Sequence, residues 1–233
     1  MRRFFCDGPT GESTWVIEGE EHHHLTRVMR ARRGDRIEII NGKGALFAAV
    51  VLDANSGGVR VRVRKIEEHP RPPVKLSLAP SLVKKRIMSD LVERLTELGA
   101  DEIHPLIFQR TDAFHGETDI RRWEKIAIQA LKVNRRLWPP LIQAPREASG
   151  ILAEAPRFSH RLLLDHRGGE PEPDAWTPPT LAVIGPPGDL ASEERDFFTG
   201  EGFAPTRINP HVLRTETATL GLCALLKSRR EYG

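Results

Sequence analysis

The hydrophobic pattern of the chain changes near residue 70. Before that point, the segments DRIEIIN, ALFAAVVLD and GGVRVRVRKIEE alternate between apolar and polar positions or run apolar in short pieces. Asn-Gly and Gly-Gly pairs, which favour tight turns, separate these pieces. Because successive side chains of a strand point to opposite faces, the pattern predicts short antiparallel strands. We therefore predict that residues 1–70 form a small β-barrel domain.

A proline-rich segment marks the predicted end of this domain. Residues 67–73 read EEHPRPP and place three prolines in four positions. Proline lacks a backbone N–H group and fixes φ, and it also restricts the residue before it, so regular structure is interrupted here. We predict a domain boundary in this segment and a second domain over residues 74–233.

The second part of the chain alternates between strand-like and helix-like segments. Short buried strands are predicted for VKLSLAP, EIHPLIF, HRLLLDH and TLAVIG. Helices are predicted for KKRIMSDLVERLTELG, DIRRWEKIAIQALKVNRR and SEERDFFTGEG, the first because its apolar residues recur at helical spacing and Gly99 ends it. The apolar pair Val212 and Leu213 is interpreted as part of a last strand that leads into a final helix. This alternation predicts the α/β class, with a mostly parallel sheet covered by helices.

The composition says more about where the protein is found than about what it does. Lys and Arg number 35 against 32 Asp and Glu, and the sequence pI is about 9.1, so the chain is mildly basic. Cys6 and Cys223 lie far apart, which argues against a disulfide framework or a zinc ribbon. The first residues lack the apolar stretch of a signal peptide, and no window approaches the roughly 18 apolar residues of a membrane span. We expect a cytoplasmic protein with no membrane contact.

Basic residues are concentrated in the predicted β domain. Residues 20–36, EEHHHLTRVMRARRGDR, combine three consecutive histidines with five arginines. Adjacent histidines cannot all face one ligand, so we expect no metal site here. Arg60, Arg62 and Arg64 recur at a period of two on one predicted strand face. We favour a surface that contacts phosphate groups over a merely solvated basic face.

Two predicted helix ends carry further basic residues. Lys84, Lys85 and Arg86 lie at a helix start, where the helix dipole disfavours cations, so this placement suggests an anionic partner. Arg135 and Arg136 lie at a helix end, where the dipole favours cations without any ligand.

A loop rich in glycine and proline follows one of the buried strands. The segment AVIGPPGDLASEE, residues 182–194, runs from a strand into this loop and then into a helix start. In open α/β sheets, ligands bind outside the carboxyl ends of the strands. The sequence lacks G-x-G-x-x-G and G-K-[ST], so the common nucleotide-binding classes are not indicated. A ligand-binding loop and an ordinary tight turn both fit the segment.

The chain resembles the RsmE family of ribosomal RNA methyltransferases, which belongs to the SPOUT class. The resemblance lies in six segments that follow in order over essentially the whole chain: MRRFF, HHHLTRVMRARRGDRIEIINGKG, KKRIMSDLVERLTELGADEIHPLIFQRT, RRWEKIAIQALKVNRR, IGPPGDLASEE and HVLRTETATLGLCALL. It implies a PUA-like barrel as the first domain and an α/β domain whose last segment forms a trefoil knot. It also implies a homodimer, S-adenosylmethionine as the methyl donor, and methylation of N3 of one uridine in 16S ribosomal RNA.

The resemblance also suggests roles for individual residues. Arg214 is the expected anchor for a phosphate or for uracil carbonyl oxygens, and Glu216 is the expected acceptor of the N3 proton. The alternative is that both side chains only brace the knot and the dimer interface. The residues expected to hold the methyl donor are Ile184, Gly185, Pro186, Gly188, Ile208, Asn209, Val212, Leu213 and Arg214. The residues expected to contact RNA are His23, Arg27, Arg30, Arg32, Arg33, Lys84, Lys85, Arg86 and Arg135.

The chain departs from the usual family pattern in three places: the glycine loop, the central helix, and the loop before VLRTETA, where Asn209 and His211 replace the usual glycine and arginine. The family loop usually reads Gly-Pro-Glu-Gly-Gly, whereas Pro187 and Asp189 stand in the third and fifth places here. If the fifth residue has a positive φ, aspartate accepts it at some energetic cost. Gln129 and Lys132 replace carboxylates that the family usually carries in its central helix. These departures leave two alternatives open: a SPOUT-type RNA-binding dimer without catalysis, and an enzyme that acts on a different RNA or uridine.

Overall fold

The computed structural model describes residues 2–8, 12–111, 117–171 and 179–232, apart from the side chains of residues 117, 118 and 229–232. The chain divides into two compact units. The first comprises Met1–Pro72 and Ile128–Pro139, and the second comprises Pro73–Ala127 and Pro140–Gly233. The sequence placed residues 128–139 in the second domain. The structure groups them with the first unit, where Leu131 is fully buried with Ile40 and Leu46.

A five-stranded sheet forms the body of the first unit. Its strands are β1 (Arg3–Phe5), β2 (Thr14–Ile17), β3 (Arg36–Ile40), β4 (Ala45–Asn55) and β5 (Gly58–Glu68), in the order β1-β3-β4-β5-β2. The pair of β1 and β3 is parallel, and the other pairs are antiparallel. Alternation along β5 buries Val59, Val61 and Val63 and leaves the arginines between them exposed. The strand β5 that the alternation of apolar and polar residues predicted is therefore present in the structure.

A short helical segment connects β2 to β3 in the first unit. Helix α1 (Gly19–His23) continues as a π-helical turn over His24–Val28. Leu25 is fully buried in the core of the unit, where Trp15 and Phe47 stack edge to face at 4.5 Å. This anchor fixes the turn that begins the arginine-rich segment.

The second unit is built on a six-stranded parallel sheet. Its strands are β6 (Leu76–Pro80), β7 (Glu102–Ile103), β9 (Leu141–Ile142), β11 (His160–Gly169), β12 (Thr180–Ile184) and β13 (Ala204–Thr206), in the order β13-β11-β12-β6-β7-β9. A separate parallel pair joins β8 (Leu106–Ile107) to β10 (Arg146–Glu147). Parallel neighbours need crossover connections, which helices commonly provide. The mostly parallel α/β architecture that the sequence predicted is confirmed.

Helices α2 (Lys85–Leu98), α3 (Glu117–Asn134), α4 (Ser192–Gly200) and α5 (Thr215–Tyr232) accompany this sheet. Strand β12 shows that both faces of the sheet are covered. Ala182 and Ile184 belong to the apolar cluster that contains α2 and α5, whereas Leu181 and Val183 belong to the cluster around Phe198 of α4. Because all its side chains are buried, the strand is apolar without interruption from Leu181 to Ile184.

Two predicted strands differ from the structure. EIHPLIF was predicted as one strand, but it divides into β7 and β8, which lie in different sheets, because Pro105 lacks the N–H group that a ladder needs. Val212 and Leu213 were predicted as part of a strand, but they lie in the loop before α5, and Val212 is 75% exposed. The strand of this region is β13, which ends at Thr206.

The predicted end of α2 is confirmed, since Gly99 adopts a φ of 90° after Leu98. In the part of the chain that the structure describes, every helix is too short or too polar to cross a bilayer.

Candidate active site

A cavity of about 440 Å³ opens at the carboxyl ends of β11 and β12. Leu164, Asp165 and His166 of β11 and the last residues of β12 and β13 form part of its wall, and the loops that follow β12 and β13 and the start of α5 form the rest. This is the position at which open α/β sheets bind ligands. The lining residues are Leu164, Asp165, His166, Ile184, Gly185, Pro186, Pro187, Gly188, Asp189, Leu190, Thr206, Arg207, Ile208, Asn209, His211, Val212, Leu213, Arg214, Thr215 and Ala218.

The loop after β12 depends on its glycines and on one strained aspartate. A Cβ atom at position 185 would lie 2.8 Å from Cγ of Leu190, so Gly185 lets the loop fold back closely. Gly188 adopts a φ of 96°, and Asp189 adopts a φ of 74°. Asp189 thus has a left-handed backbone conformation at the position where the family usually has glycine. For a residue with a Cβ atom this conformation costs on the order of 1 kcal/mol.

Two arginines hold the carboxylate of Asp189. Its Oδ2 accepts hydrogen bonds from Nη2 of Arg167 at 2.9 Å and Nη2 of Arg195 at 3.2 Å, and its Oδ1 accepts one from the N–H of Leu190 at 2.9 Å. Arg195 also pairs through Nε with the buried Asp165. Burial disfavours ionisation of Asp165, but the N–H of Arg167 and the Arg195 guanidinium outweigh it and lower the pKa of Asp165. An alternating chain of charges therefore runs along this wall.

His166 lies beside the same carboxylates. Its Nδ1 is 3.6 Å from Oδ1 of Asp165 and 4.0 Å from Oδ2 of Asp189. Ligand atoms of these three residues fall within 4.8 Å of one another, a spacing that a metal ion could use. Arg167 and Arg195 already supply two positive charges to the two carboxylates, so their charge is balanced by protein groups.

The start of α5 closes another side of the cavity. The carbonyl of Arg214 accepts a hydrogen bond from the N–H of Ala218 at 2.8 Å, which makes Arg214 the N-cap of the helix. The buried hydroxyl of Thr215 donates a hydrogen bond to the carbonyl oxygen of Gly185 at 2.9 Å. The Arg214 side chain is exposed and forms no ion pair with the described residues. A free guanidinium at the cavity is suited to bind an anion or a carbonyl oxygen.

The structure brings together all nine residues expected to hold the methyl donor, since each of them lines this cavity. Glu216 is not among the lining residues and lies half-buried in the first turn of α5. The sequence did not single out Asp165, His166 or Arg207. The first two end a predicted strand, so the rule for carboxyl ends of strands could have indicated them. Arg207 follows β13, which the hydrophobic pattern did not predict.

The basic residues expected to contact RNA in the first unit are all exposed: His23, Arg27, Arg30, Arg32, Arg33 and Arg135. Arg60 of β5 hydrogen-bonds to Asp53, and this bond, assisted by the positive charge of Arg33, lowers the pKa of Asp53. Asp53 therefore lies near both predicted basic rows.

Lys84, Lys85 and Arg86 are exposed at the start of α2 in the second unit. Nζ of Lys85 lies 3.1 Å from Oδ2 of Asp119. For Lys85, the anionic partner that the helix dipole suggested is therefore found within the protein. All three residues, Lys84, Lys85 and Arg86, remain candidates for contact with RNA, since the Lys85 side chain is 59% exposed beside Asp119.

The unusual charge of Lys132 is also balanced within its unit. Its Nζ lies 2.7 Å from Oε1 of Glu21, and both side chains are largely buried. Gln129 donates a second hydrogen bond to the same oxygen at 3.4 Å. Gln129 and Lys132, which replace the carboxylates usual in the central helix, therefore both bind the buried carboxylate of Glu21.

Two family models match the chain. The model of the RNA methyltransferase domain matches residues 70–227, and the model of the RNA methyltransferase PUA domain matches residues 17–64. The first match contains the whole six-stranded sheet and the cavity. The second contains the whole arginine-rich segment, residues 20–36, and strands β3 and β4.

Relatives and solved structures match nearly the full chain. The ribosomal RNA small subunit methyltransferase E of Mycobacterium bovis is 30% identical over 245 residues, which cover 97% of this chain and 92% of the relative. A Legionella pneumophila methyltransferase, solved in complex with the bound cofactor SAM, is 26% identical, with a TM-score of 0.86 and 97% of both chains covered.

The fold is shared with a third protein, the ribosomal RNA small subunit methyltransferase E of Neisseria gonorrhoeae bound to S-adenosyl methionine. It is 21% identical, with a TM-score of 0.84 and 98% of both chains covered. The family model over residues 70–227 and the full-length match at 30% identity establish that the chain belongs to the ribosomal RNA small subunit methyltransferase E family.

Proposed function

We propose that this protein transfers the methyl group of S-adenosylmethionine to N3 of a uridine in small-subunit ribosomal RNA. The observation that carries the proposal is the cavity at the carboxyl ends of β11 and β12, which is lined by all nine residues expected to hold the donor. The substrate class is supported by relatives named as methyltransferases of small-subunit ribosomal RNA. The donor is supported by the related Legionella structure, which has SAM bound.

The cavity fits a donor of this size and chemistry. Pockets for small molecules commonly enclose about 300–1,000 Å³, and this one encloses about 440 Å³. Ile184, Ile208 and Leu213 supply apolar surface for an adenine ring. The backbone of Gly185 and Gly188 lies at the wall without a Cβ atom, so a ligand can approach this backbone closely.

Arg214 is the residue that we propose to anchor the acceptor. When bound, S-adenosylmethionine supplies an electrophilic methyl group on a sulfonium centre. The protein must then place uracil N3 in line and favour the loss of its proton. The Arg214 guanidinium can donate to a uracil carbonyl oxygen or a phosphate, and its positive charge stabilises the deprotonated base.

Glu216 is the proposed acceptor of the N3 proton. It lies two residues beyond Arg214 in the first turn of α5, outside the cavity lining. A positioned general base is worth about 10²- to 10⁴-fold in rate. Comparing Glu216→Gln with the parent at saturating donor measures this contribution, and an unchanged rate would assign Glu216 to the bracing of the helix start instead.

The basic surface of the first unit is proposed to hold the RNA backbone. Its exposed arginines supply the positive charge that phosphate groups bind, and such binding weakens as salt rises because counterions are released on association. These contacts position RNA without reading its sequence. The cavity, rather than this surface, is therefore proposed to select the target uridine.

We also propose that two copies of this chain associate as a homodimer through α5. The side of α5 opposite its buried face carries uncharged residues, among them Thr217, Gly221 and Ala224, and Leu225 at its border is 37% exposed. An exposed helix side without charge favours a protein contact. Light scattering of the parent and of Leu225→Glu tests this proposal, which requires a dimer for the parent and a shift to monomer for the variant.

The function is tested with the purified protein in two steps. Calorimetry with S-adenosylmethionine is expected to show binding, and transfer of labelled methyl groups to small-subunit RNA is expected to yield N3-methyluridine. Donor binding without transfer to this RNA would favour one of the two alternatives, a non-catalytic RNA-binding dimer or an enzyme for another RNA. The absence of donor binding would contradict the proposal.

A further inference from the structure

We infer that Asp189 is a positioning residue for the proposed methyl transfer, and that its clamp with Arg167 and Arg195 holds the loop after β12 in the shape that receives the donor. The inference rests on the proposed function for the identity of the ligand. The clamp itself is read from contacts within the second unit.

The backbone of Asp189 is the first argument. Its φ of 74° is a conformation that glycine adopts freely and that a side chain makes costly. Such a conformation persists where the surrounding structure determines it. Here both carboxylate oxygens are engaged, Oδ1 by the N–H of Leu190 and Oδ2 by the two arginines. The side chain thus supplies the bonds that hold its own strained backbone.

The second argument is that the clamp joins three separate segments. Asp165 and Arg167 come from the second half of β11, Asp189 from the loop after β12, and Arg195 from α4. Arg195 bridges the two carboxylates, with its Nη2 at 3.2 Å from Asp189 and its Nε bonded to Asp165. Because β11 and the loop after β12 both line the cavity, this bridge sets the spacing of two of its walls.

Burial indicates that these bonds matter energetically. The side chains of Asp165, Arg195 and Asp189 are 1%, 17% and 29% exposed. Ion pairs withdrawn from water are screened less than surface pairs, and hydrogen bonds between charged groups are about twice as strong as neutral ones. Breaking a bond of Arg195 or Asp165 therefore loosens the loop rather than a solvated surface contact, whereas the Arg167 side chain is 58% exposed and its pair with Asp189 is partly solvated.

A third arginine holds the turn from its backbone side. Nη1 of Arg110 donates to the carbonyl oxygen of Gly188 at 2.8 Å and lies 3.4 Å from that of Asp189. The turn is therefore held at its carboxylate by Arg167 and Arg195 and at its carbonyl groups by Arg110. A loop fixed in this way needs little reordering when it binds a ligand, which favours affinity.

Two substitutions separate backbone strain from the clamp. Asp189→Asn keeps the size of the side chain and the tolerance for positive φ, but it removes the charge that the arginines bind. Asp189→Gly removes the strain and the carboxylate together. If the carboxylate were only tolerated, Asp189→Gly would bind the donor at least as tightly as the parent. If the clamp positions the loop, both variants bind it more weakly.

The experiment compares the donor affinity of the parent, Asp189→Asn, Asp189→Gly and Arg167→Gln by calorimetry with S-adenosylmethionine. We expect each variant to bind about tenfold more weakly. We also expect KM for the donor to rise while KM for RNA stays unchanged. Hydrogen exchange of the free proteins is expected to show faster exchange of the amides of residues 188–190. The matched control is Glu68→Gln, which removes an exposed ion pair with Lys65 in the first unit and should bind the donor as the parent does.

The outcomes separate the two claims. A parent that binds the donor and an Asp189→Gly variant that binds it equally well would overturn the positioning role and leave the proposed function intact. A parent that binds no donor would overturn both. A variant that only loses thermal stability, with unchanged donor affinity and unchanged loop exchange, would show a structural role and also reject the inference.

Discussion

The hydroxyl of Thr215 donates a hydrogen bond of 2.9 Å to the carbonyl oxygen of Gly185. This bond joins the first turn of α5 to the glycine loop, and both partners line the cavity. The Thr215 side chain is buried, so the carbonyl of Gly185 has little access to water at this point. The start of the last helix and the proposed donor loop therefore form one hydrogen-bonded unit.

Replacing Thr215 with valine should loosen this junction. Thr215→Val keeps the shape of the side chain but leaves a buried carbonyl without its donor, which costs about 1–3 kcal/mol in the free energy of unfolding. We expect weaker donor binding as well, since the loop loses a tether. Urea unfolding and calorimetry measure the two effects. Thr215→Ser retains the hydroxyl and should stay close to the parent; equal losses in both variants would show that the hydrogen bond is not the cause.

Arg214→Ala should remove methyl transfer while the protein remains folded. The guanidinium lines the cavity without an ion pair among the described residues, so its loss leaves no buried charge unpaired. We expect a loss of about 10²- to 10³-fold in turnover, as for other donors that stabilise developing negative charge. Circular dichroism checks the fold, and Arg161→Ala, outside the cavity lining, is the control. Unchanged turnover of the Arg214 variant would exclude Arg214 from the mechanism.

Neutralising three arginines of the first unit should weaken RNA binding in a salt-dependent way. In the triple variant Arg30→Gln, Arg32→Gln, Arg33→Gln, the slope of log affinity against log salt should become shallower by about 2. Each phosphate contact that is lost reduces the number of counterions released when RNA binds. The matched control replaces the exposed Arg94, Arg121 and Arg122 of the second unit. Donor affinity should be unchanged in both triple variants. Equal salt slopes for the first variant and the parent would remove these arginines from the RNA surface.

Glu102 should make the protein sensitive to acid. Its carboxylate is buried and accepts hydrogen bonds from Nη2 of Arg157 at 2.7 Å and Nε2 of His104 at 3.2 Å. Arg146 donates to Nδ1 of His104 at 2.8 Å, which leaves the ring proton on Nε2. Burial disfavours the ionised Glu102, but the bonds from His104 and Arg157 outweigh it and lower its pKa from 4.5 to about 2.

A lowered carboxyl pKa stabilises the folded state above the unfolded pKa, and this stabilisation is lost as pH falls toward the folded pKa. The contribution of Glu102 is therefore complete above about pH 5 and declines between about 4.5 and 2. Glu102→Gln should lower the free energy of unfolding by up to about 3 kcal/mol at neutral pH. The difference in the free energy of unfolding between Glu102→Gln and the parent should become smaller as pH falls, as measured by urea unfolding at several pH values. A gap independent of pH would contradict this assignment.

The sequence predicted those parts of the fold that local patterns determine. Helix α2 was predicted because its apolar residues recur at helical spacing and Gly99 provides the left-handed end, and β5 was predicted because valines and arginines alternate along it. Pro105 and the exposed Val212 show the limit of the method. An apolar run does not reveal that a proline divides it between two sheets, or that a loop exposes its valine.

The candidate site was predictable only in part. The glycine loop and VLRTETA indicated the residues that line the cavity because they resemble a family pattern. The partners of Asp189 could not be predicted, since Arg167 and Arg195 are ordinary arginines in the sequence and meet it only through long-range packing. The same holds for the burial of Glu21 with Lys132, which are 111 residues apart in the chain.

The most direct test of the central claim is a map of modified nucleotides in small-subunit ribosomal RNA from cells with and without this protein. The proposed function predicts one N3-methyluridine that disappears when the protein is absent. The modification should return with the parent protein and not with Arg214→Ala. Identical maps in the two kinds of cells would contradict the proposal that this protein methylates small-subunit ribosomal RNA.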